Sequence, residues 1–246
     1  MNFLYYLSCI GNPNIFTKIY ILRRNLIYIF NNIQCHFDII VNLYETDKES
    51  YNLIETLLSK LKFINNKFIY VKKGILSEVF LSNKYNKYIF KYDYILFILD
   101  DIEIENLDIN EIIRVKKKYN LEIISPKVIN STHQQWNSLC GNILTINNFL
   151  EVYCLLMNPY ECIKFFSLHT IKNKWMWGAD LIFGHFNIKV GSYYKYTVIH
   201  RLNSNSNKID ARICMNEYLD KYSLSQECLW NKYNYSKETI NLDKLE

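Results

Sequence analysis

The chain has 246 residues, half of them apolar, and its 29 basic and 24 acidic side chains give a formal net charge of +5. This length is typical of one α/β domain, and with only 6 Gly and 3 Pro no segment has the composition of a flexible linker. The basic residues are spread along the chain, whereas binding of a phosphate backbone calls for a dense basic cluster, so the charge pattern argues against a nucleic-acid partner.

One basic run interrupts this even distribution, at residues 116–118. We expect it at the solvated end of a helix that begins near Asn110, because the helix dipole favours cations near a C-terminus. The run therefore predicts a charged surface rather than a site.

The cysteine spacing and the N-terminal segment indicate the cellular compartment in which the protein is expected. Seven Cys with irregular spacing and no CxxC pair form neither a disulfide framework nor a zinc ribbon, which predicts a reducing compartment. The apolar run 2–10 lacks a basic leader, is too short to span a bilayer and ends in Gly11-Asn12-Pro13, so we interpret it as a first strand. With no run of 18 apolar residues, the sequence predicts a cytoplasmic protein without an integral membrane segment.

Strand and helix patterns alternate over the first 130 residues. Apolar runs predict strands at 2–10, 37–44, 67–71 and 92–99, and helical spacing of apolar residues predicts helices at 16–30, 50–61 and 76–90. This alternation is typical of a mostly parallel sheet with helices on both faces.

The second half is less regular. Its patterns predict strands at 121–125, 142–145, 152–157 and 193–199, and helices at 160–169 and 212–222. Polar residues follow the last helix, and we expect them to be loosely ordered.

An acidic motif follows the apolar strand 92–99 directly, as Asp100-Asp101-Ile102-Glu103. Ligands of open parallel sheets bind beyond the carboxyl ends of the strands, so carboxylates at this point face a crevice. Such hard oxygen ligands suit Mg²⁺ or Mn²⁺, which can neutralise a diphosphate. The alternative interpretation is that Asp100 and Asp101 cap the next turn.

A second motif reads Trp175-Met176-Trp177-Gly178-Ala179-Asp180. Its two indole rings can form a flat apolar wall beside a carboxylate, which suits a sugar with apolar C–H faces and hydroxyl groups. The alternative is an aromatic corner of the core, with Asp180 as the N-cap of a helix that begins at Leu181.

A third candidate is His200, which ends the strand-like run 193–199 and precedes Arg201. A neutral imidazole can complete a metal site that also contains carboxylates, and the neighbouring guanidinium can contact phosphate. By itself, a single His is more often an ordinary core or surface residue. The sequence contains no GxxxxGK[ST], GxGxxG or GxSxG motif, so P-loop, dinucleotide-binding and α/β-hydrolase interpretations lack support.

Taken in chain order, these pieces resemble a GT-A type glycosyltransferase over roughly residues 3 to 201. The resemblance is carried by four stretches: 92–104 (YDYILFILDDIEI) for the strand with a DxD-type motif, 124–127 with 131–136 for the following strand and loop, 151–166 for the acceptor side, and 175–183 with 198–200 for the catalytic acid and a late metal-ligand His. The sequence departs from DxD in one respect, because Leu99 takes the place of the first acid.

The resemblance implies a GT-A-like, Rossmann-like α/β fold with a mostly parallel sheet flanked by helices. The domain would comprise residues 1–205, with a nucleotide-binding half to about residue 105 and an acceptor half over 106–205. Residues 206–246 would form a C-terminal helix and a polar tail.

The resemblance also implies a function, which is metal-assisted transfer of a sugar from a nucleotide-sugar donor, a UDP-sugar, to a glycan or other hydroxyl acceptor. Its cofactor would be Mn²⁺ or Mg²⁺. The residues that it assigns are Asp101, Glu103 and His200 to the metal; Glu45, Asp100 and Arg201 to the nucleotide; Trp175, Trp177 and Gly178 to the sugar or acceptor; and Asp180 to the catalytic base.

Three points stay open at this level. Transfer is inverting if Asp180 removes the acceptor proton, and retaining is possible if Asp180 only positions the acceptor. The incomplete DxD motif also fits a degenerate module that binds a sugar or nucleotide without turnover. The high aromatic content also fits a structural or interaction protein on this fold.

Overall fold

One mixed sheet runs through the molecule in a computed structural model that describes residues 3–10, 14–33, 37–44, 48–71, 88–131, 139–169, 173, 176–202, 208–233 and 236–244. The strands of this part of the chain are β1 (Phe3–Ile10), β2 (Phe37–Tyr44), β3 (Ile64–Val71), β4 (Tyr94–Leu99), β5 (Ile102–Asn106), β6 (Ile123–Ile129), β7 (Ile143–Asn147), β8 (Cys154–Met157), β9 (Val190–His200) and β10 (Ser236–Asn241). Their order is β10-β7-β9-β6-β8-β4-β1-β2-β3, and β5 pairs with β9.

Helices cover both faces of the sheet, as predicted. The described helices are α1 (Ile15–Ile33), α2 (Lys48–Lys60), α3 (Ile109–Lys118), α4 (Pro159–Ser167), α5 (Lys208–Asp220) and α6 (Gln226–Tyr233). In β4, Leu96 and Ile98 pack into a core with α1, α2 and α3, whereas Ile95 and Phe97 pack into a second core with α4. Burial on both faces explains the continuous apolar run of this strand.

Strand directions differ between the two halves of the sheet. β1 is parallel to β2 and β4, and β2 is parallel to β3, as predicted. Beyond β4, the β6–β9 pair is parallel, but β8 is antiparallel to β4 and β6, and β9 is antiparallel to β5 and β7. The prediction of a mostly parallel sheet is therefore wrong, because an apolar period identifies a strand without fixing its direction.

The strand β6 continues past Pro126, where the sequence predicted an end at residue 125. The pairing of β6 with β9 shifts register between Pro126 and Lys127, and such an irregularity accommodates a residue that lacks an N–H donor.

The region after Arg201 contains more regular structure than expected. In addition to one helix near the predicted position, the structure has α6 and β10, and β10 pairs antiparallel with β7 at the edge of the sheet. Edge strands tolerate polar residues, so the sequence of β10 lacks the apolar signature of a central strand. The predicted helix 76–90 falls largely outside the described residues.

The basic run lies at the end of α3, as expected for that helix. Lys117 and Lys118 are exposed, but Lys116 is buried, and its Nζ lies 2.8 Å from Oε1 of Glu161 and 2.7 Å from the carbonyl oxygen of Leu121. The prediction of a wholly solvated run is therefore wrong, because a long side chain can bury its amine where a carboxylate accepts it.

The helices of the described segments were compared with the length and hydropathy that a membrane span requires. Within those ranges, every helix is too short or too polar to span a bilayer.

Candidate functional site

The acidic motif lies where β4 ends, at the edge of the sheet formed by the carboxyl ends of β1, β2 and β4. The chain turns at Asp100 and Asp101 and enters β5, which runs antiparallel to β9 with Ile102 opposite His200. This pairing brings Oδ2 of Asp101 to 2.9 Å from Nε2 of His200, although 99 residues separate them. The structure thus brings together two of the predicted metal ligands.

The surroundings of His200 favour its interaction with Asp101. Burial by itself lowers the pKa of the imidazole, but the hydrogen bond and the charge of Asp101, with the backbone of Asn130, outweigh that effect and raise it. The ring of Tyr153 lies against the imidazole, with 5.0 Å between the ring centroids. His200 is therefore held in one orientation.

The donor set of this pair suits a divalent cation bound together with phosphate. Oδ1 of Asp101 is buried and has no hydrogen-bond partner among the described residues, so this oxygen is not committed to the fold. Within the same part of the chain, no third His, Cys, Asp or Glu joins the pair to form a metal-sized cluster. Mg²⁺-type sites commonly use one or two protein ligands, water and substrate phosphates, and this pair fits that pattern.

The other two acids of the motif contact basic side chains. Oδ2 of Asp100 lies 2.8 Å from Nζ of Lys18 in α1, and both side chains are buried. Glu103 pairs with Arg24 and with Arg201, and its own side chain is only 5% exposed. Asp100 and Glu103 therefore orient cations at this edge of the sheet, and the structure does not bring them into a cluster with Asp101 and His200.

Helix α1 holds the strand that follows the motif. Nδ2 of Asn25 donates to the carbonyl oxygen of Ile102 at 2.7 Å, and the N–H of Ile104 donates to Oδ1 of Asn25 at 2.8 Å. The amide thus provides hydrogen-bond partners for the backbone groups of β5 that do not pair with β9. Sequence reasoning missed Asn25, and its only signal is a polar residue on the apolar face of a helix.

The second motif forms a series of turns against α5. Gly178 has φ +82°, and a Cβ atom there would lie 2.9 Å from Cγ of Met215, so a side chain would be both strained and crowded. Residues 177–187 are turns and no α-helix begins at Leu181, so the interpretation of Asp180 as a helix N-cap is wrong. Trp177 is half-buried and packs on the α5 cluster of Met215, Tyr218 and Leu219.

The carboxyl group of Asp180 has a raised pKa. Burial raises its pKa, and backbone hydrogen bonds within the turn oppose that rise only in part, which leaves the pKa at about 6. A group with this pKa is mostly ionised at neutral pH and still basic enough to accept a proton.

One segment, residues 148–153, touches both parts of the site. The N–H of Leu150 donates to the carbonyl oxygen of Asp180 at 3.4 Å, and Tyr153 packs on His200. The backbone of Asp180 and the ring of His200 therefore contact the same segment. Glu45 and Trp175, the remaining predicted site residues, lie outside the described residues.

A buried amide near the carboxyl end of β2 is a further candidate. Asn42 is fully buried, and neither of its amide atoms has a hydrogen-bond partner in the described part of the chain. Its backbone neighbours are Ser8 in β1 and Tyr70 in β3. The available signal was a polar residue inside the apolar run 39–43, which sequence reasoning considered only as part of a strand end.

The comparisons with known proteins show similarity in structure alone. No protein-family model and no curated protein sequence matches the chain. Its structure superposes on S. aureus TarS 1–349 in complex with UDP, with a TM-score of 0.54 and 11% identity over 100% of this chain and 77% of that one. The complex of TarS 1–349 with UDP-GlcNAc gives a TM-score of 0.55 and 10% identity over 93% and 69%. The chain shares the TarS fold.

A longer TarS chain gives a TM-score of 0.52 and 12% identity over 92% of this chain. The match covers only 44% of that TarS chain, so this protein spans less than half of its length. The fold itself, a central mixed sheet with helices in a single α/β domain, is consistent with a GT-A-like fold.

Proposed function

We propose that this protein is a glycosyltransferase that moves a sugar from a nucleotide-sugar donor, a UDP-sugar, to a hydroxyl acceptor. The observation that carries the proposal is the 2.9 Å contact of Asp101 with His200 at the carboxyl end of β4. Crystal structures of TarS, which has a similar fold, contain UDP and UDP-GlcNAc, and this favours a uridine nucleotide as the donor.

Asp101 and His200 would hold the Mn²⁺ or Mg²⁺ cofactor, with Glu103 as the third ligand that the sequence assigns to it. When bound, the cation supplies positive charge to the diphosphate of the donor. Glu103 has a second role, because its contact with Arg201 aims a half-exposed guanidinium at the same edge of the sheet. Arg201 would stabilise the charge that develops on the leaving diphosphate.

The nucleoside would lie beside the carboxyl end of β2. Asn42 offers an amide with one acceptor and two donor positions, which matches the hydrogen-bonding edge of a pyrimidine base. Glu45 follows the same strand and would contact the base or the ribose. Asp100 would act from behind the diphosphate by orienting Lys18.

Asp180 would act as the base, with Trp177 and Gly178 of its motif on the acceptor side together with Trp175. Its carboxylate takes the proton of the acceptor hydroxyl while that oxygen forms a bond to the anomeric carbon. The bond from this carbon to the diphosphate oxygen breaks, and the nucleoside diphosphate leaves with the electron pair. Direct attack of this kind inverts the configuration at the anomeric carbon.

A module that binds nucleotide sugars without turnover is the second candidate, favoured by Leu99 in place of the first acid of DxD. Both candidates bind a nucleotide sugar, and a thermal-shift panel of UDP-, GDP- and CMP-sugars, each with and without Mn²⁺, tests this binding. We expect UDP-sugars to raise the melting temperature only with Mn²⁺. Hydrolysis of UDP-GlcNAc then separates the enzyme from the module, and a panel without any nucleotide-dependent shift would contradict both.

A further inference from the structure

Five lysines from separate segments of the chain meet at one edge of the sheet. This amino edge is where the parallel strands β4, β6 and β9 begin and where β8 ends, and its exposed lysines are Lys91, Lys117, Lys118, Lys164 and Lys189. The strands β4, β8, β6 and β9 are adjacent in the sheet, so at about 4.8 Å per strand their ends lie within about 15 Å of one another. Basic residues that are spread along the sequence therefore form a cluster in the fold.

The segment 119–122 joins three of these lysines. Nζ of Lys189 donates to the carbonyl oxygen of Tyr119 at 2.7 Å, and Nζ of Lys118 lies 5.7 Å from the centroid of the Tyr119 ring. In α4, Nζ of Lys164 lies 2.6 Å from Oε2 of Glu122, and Oε1 of Glu122 accepts from the backbone N–H of Lys189 at 3.0 Å. The lysines thus share one continuous surface.

The other two lysines lie around the start of β4. Nζ of Lys117 is 5.9 Å from the centroid of the Tyr94 ring, and Nζ of Lys91 is 5.0 Å from the centroid of the Tyr88 ring. An aromatic face attracts an ammonium group without neutralising it, so both positive charges remain available to a ligand.

The amino edge carries a net positive charge. Its segments 88–93, 117–122, 158–164 and 187–189 contain the five lysines and three acids, Asp93, Glu122 and Glu161. Because the buried Lys116 neutralises Glu161 at 2.8 Å, five lysines face two acids, which leaves a charge of +3. Within the described part of the chain, Lys164 is the only one of the five with a carboxylate at ion-pair distance.

An exposed aromatic pair lies at the same edge. Phe90 and Tyr160 are 45% and 74% exposed, and their ring centroids are 4.9 Å apart. Phe90 directly precedes Lys91, and Tyr160 lies in the first turn of α4, one turn before Lys164. Exposed aromatic rings among basic side chains are typical of a surface that lies in the interface of an anionic membrane.

We propose that the amino edge of the sheet is a docking surface for an anionic lipid bilayer. The lysines lie against the phosphates of the headgroups, and Phe90 and Tyr160 enter the boundary between headgroups and acyl chains. Nucleic acid is the less favoured anionic partner, because the four segments contain no Arg, the side chain that suits paired hydrogen bonds to phosphate. The inference goes beyond the proposed function and does not depend on it. Asp101 and His200 lie at the opposite edge and face away from the docked membrane.

Co-sedimentation of the full chain with lipid vesicles tests this surface without any nucleotide. Vesicles of phosphatidylcholine are compared with vesicles of phosphatidylcholine and phosphatidylglycerol in equal parts, at low and at physiological salt. The double variant Lys117→Gln/Lys118→Gln removes two charges from the amino edge. Its control, Lys48→Gln/Lys244→Gln, removes two exposed charges at the carboxyl edge.

A second pair of variants tests the aromatic rings. Tyr160→Ser removes the more exposed ring of the pair, and Tyr20→Ser makes the same change in α1, where the ring is 56% exposed. Helix α1 begins at the carboxyl edge, directly after β1, so Tyr20→Ser should bind vesicles like the wild type.

The wild type should bind the anionic vesicles and not the neutral ones, and added salt should weaken binding because it screens the charges. Lys117→Gln/Lys118→Gln should weaken binding about 25-fold, since each lysine near an anionic surface contributes a factor of about five. Tyr160→Ser should weaken it about tenfold through the loss of buried apolar area. Both controls should bind like the wild type.

Equal binding to neutral and anionic vesicles, or equal binding by the charge variant and its control, would overturn the proposal. A labelled DNA duplex is tested in the same buffers, and binding to DNA without binding to anionic vesicles would also overturn it. If circular dichroism shows that Lys117→Gln/Lys118→Gln is unfolded, Lys91→Gln/Lys189→Gln removes two charges from the same edge and replaces it.

Discussion

Nζ of Lys18 lies 2.8 Å from Oδ2 of Asp100, and the two side chains are only 8% and 6% exposed. The pair ties the first turn of α1 to the turn that follows β4. Replacing one member of a buried ion pair with a neutral residue lowers the stability of the fold strongly, because the remaining charge stays buried without its partner.

The first prediction concerns this pair. Asp100→Asn or Lys18→Met should lower the free energy of unfolding by about 3 to 5 kcal/mol, measured by urea denaturation. The double variant should lose less than the sum of the two single losses, because neither charge is then stranded. Wild-type stability in either single variant would show that the pair does not support the fold.

The second prediction concerns the proposed metal ligands. Asp101→Ala should abolish the Mn²⁺-dependent binding of UDP-GlcNAc and leave the fold intact, because Asp101 lies in a turn after β4 and packs no apolar side chain into the core. Glu105→Gln removes an exposed carboxylate from the same strand β5 and should bind like the wild type. Isothermal calorimetry with and without Mn²⁺ measures both. Equal Mn²⁺-dependent binding in Asp101→Ala would remove Asp101 from the site.

The third prediction concerns Asp180. A positioned base contributes a factor of about 10² to 10⁴, so Asp180→Asn should lower kcat by that order while donor binding stays near normal. Because the carboxyl group must be ionised and its pKa is about 6, wild-type kcat/KM should fall as the pH drops below about 6.

Asp220→Asn, an equal change at the exposed end of α5, is the matched control for Asp180 and should leave both quantities unchanged. Full activity of Asp180→Asn in a transfer assay, or a pH profile that is flat through 6, would contradict the proposed base.

The fourth prediction concerns Glu111 in the first turn of α3. Burial would raise the pKa of this carboxyl group, but hydrogen bonds from Tyr196, Lys195 and Tyr193 outweigh that effect and lower the pKa from its ordinary 4.5 to about 2. Because the pKa is lower in the folded protein than in the unfolded chain, the ionised carboxylate stabilises the fold at any pH above the unfolded-state pKa. This stabilisation is lost as the pH falls from about 4.5 to 2.

Glu111→Gln should therefore cost about 2 kcal/mol of unfolding free energy at neutral pH, and the difference from the wild type should disappear near pH 2. Glu122→Gln breaks a more exposed pair with Lys164 and should cost less than about 1 kcal/mol. Denaturation curves across this pH range measure both, and a difference independent of pH would exclude the ionised carboxylate as the cause.

Local patterns were sufficient for the elements that carry the site. The sequence predicted β2 with its observed bounds, placed β4 directly before the acidic motif, and located α3 to within one residue of its start. These features depend on neighbours in the chain, namely the period of apolar residues and the residue types at element ends. The approach of Asp101 and His200 was also expected from the sequence, through the family resemblance.

Only the tertiary structure decided which partners these residues have. Lys18 engages Asp100, Arg24 and Arg201 engage Glu103, and Asn25 satisfies the edge of β5, none of which a local pattern predicts. The antiparallel direction of strands in the second half is likewise a feature that no local pattern predicts. A strand has the same apolar period whichever direction it runs and whichever strand it joins, so its direction and partners depend on packing between segments far apart in the chain.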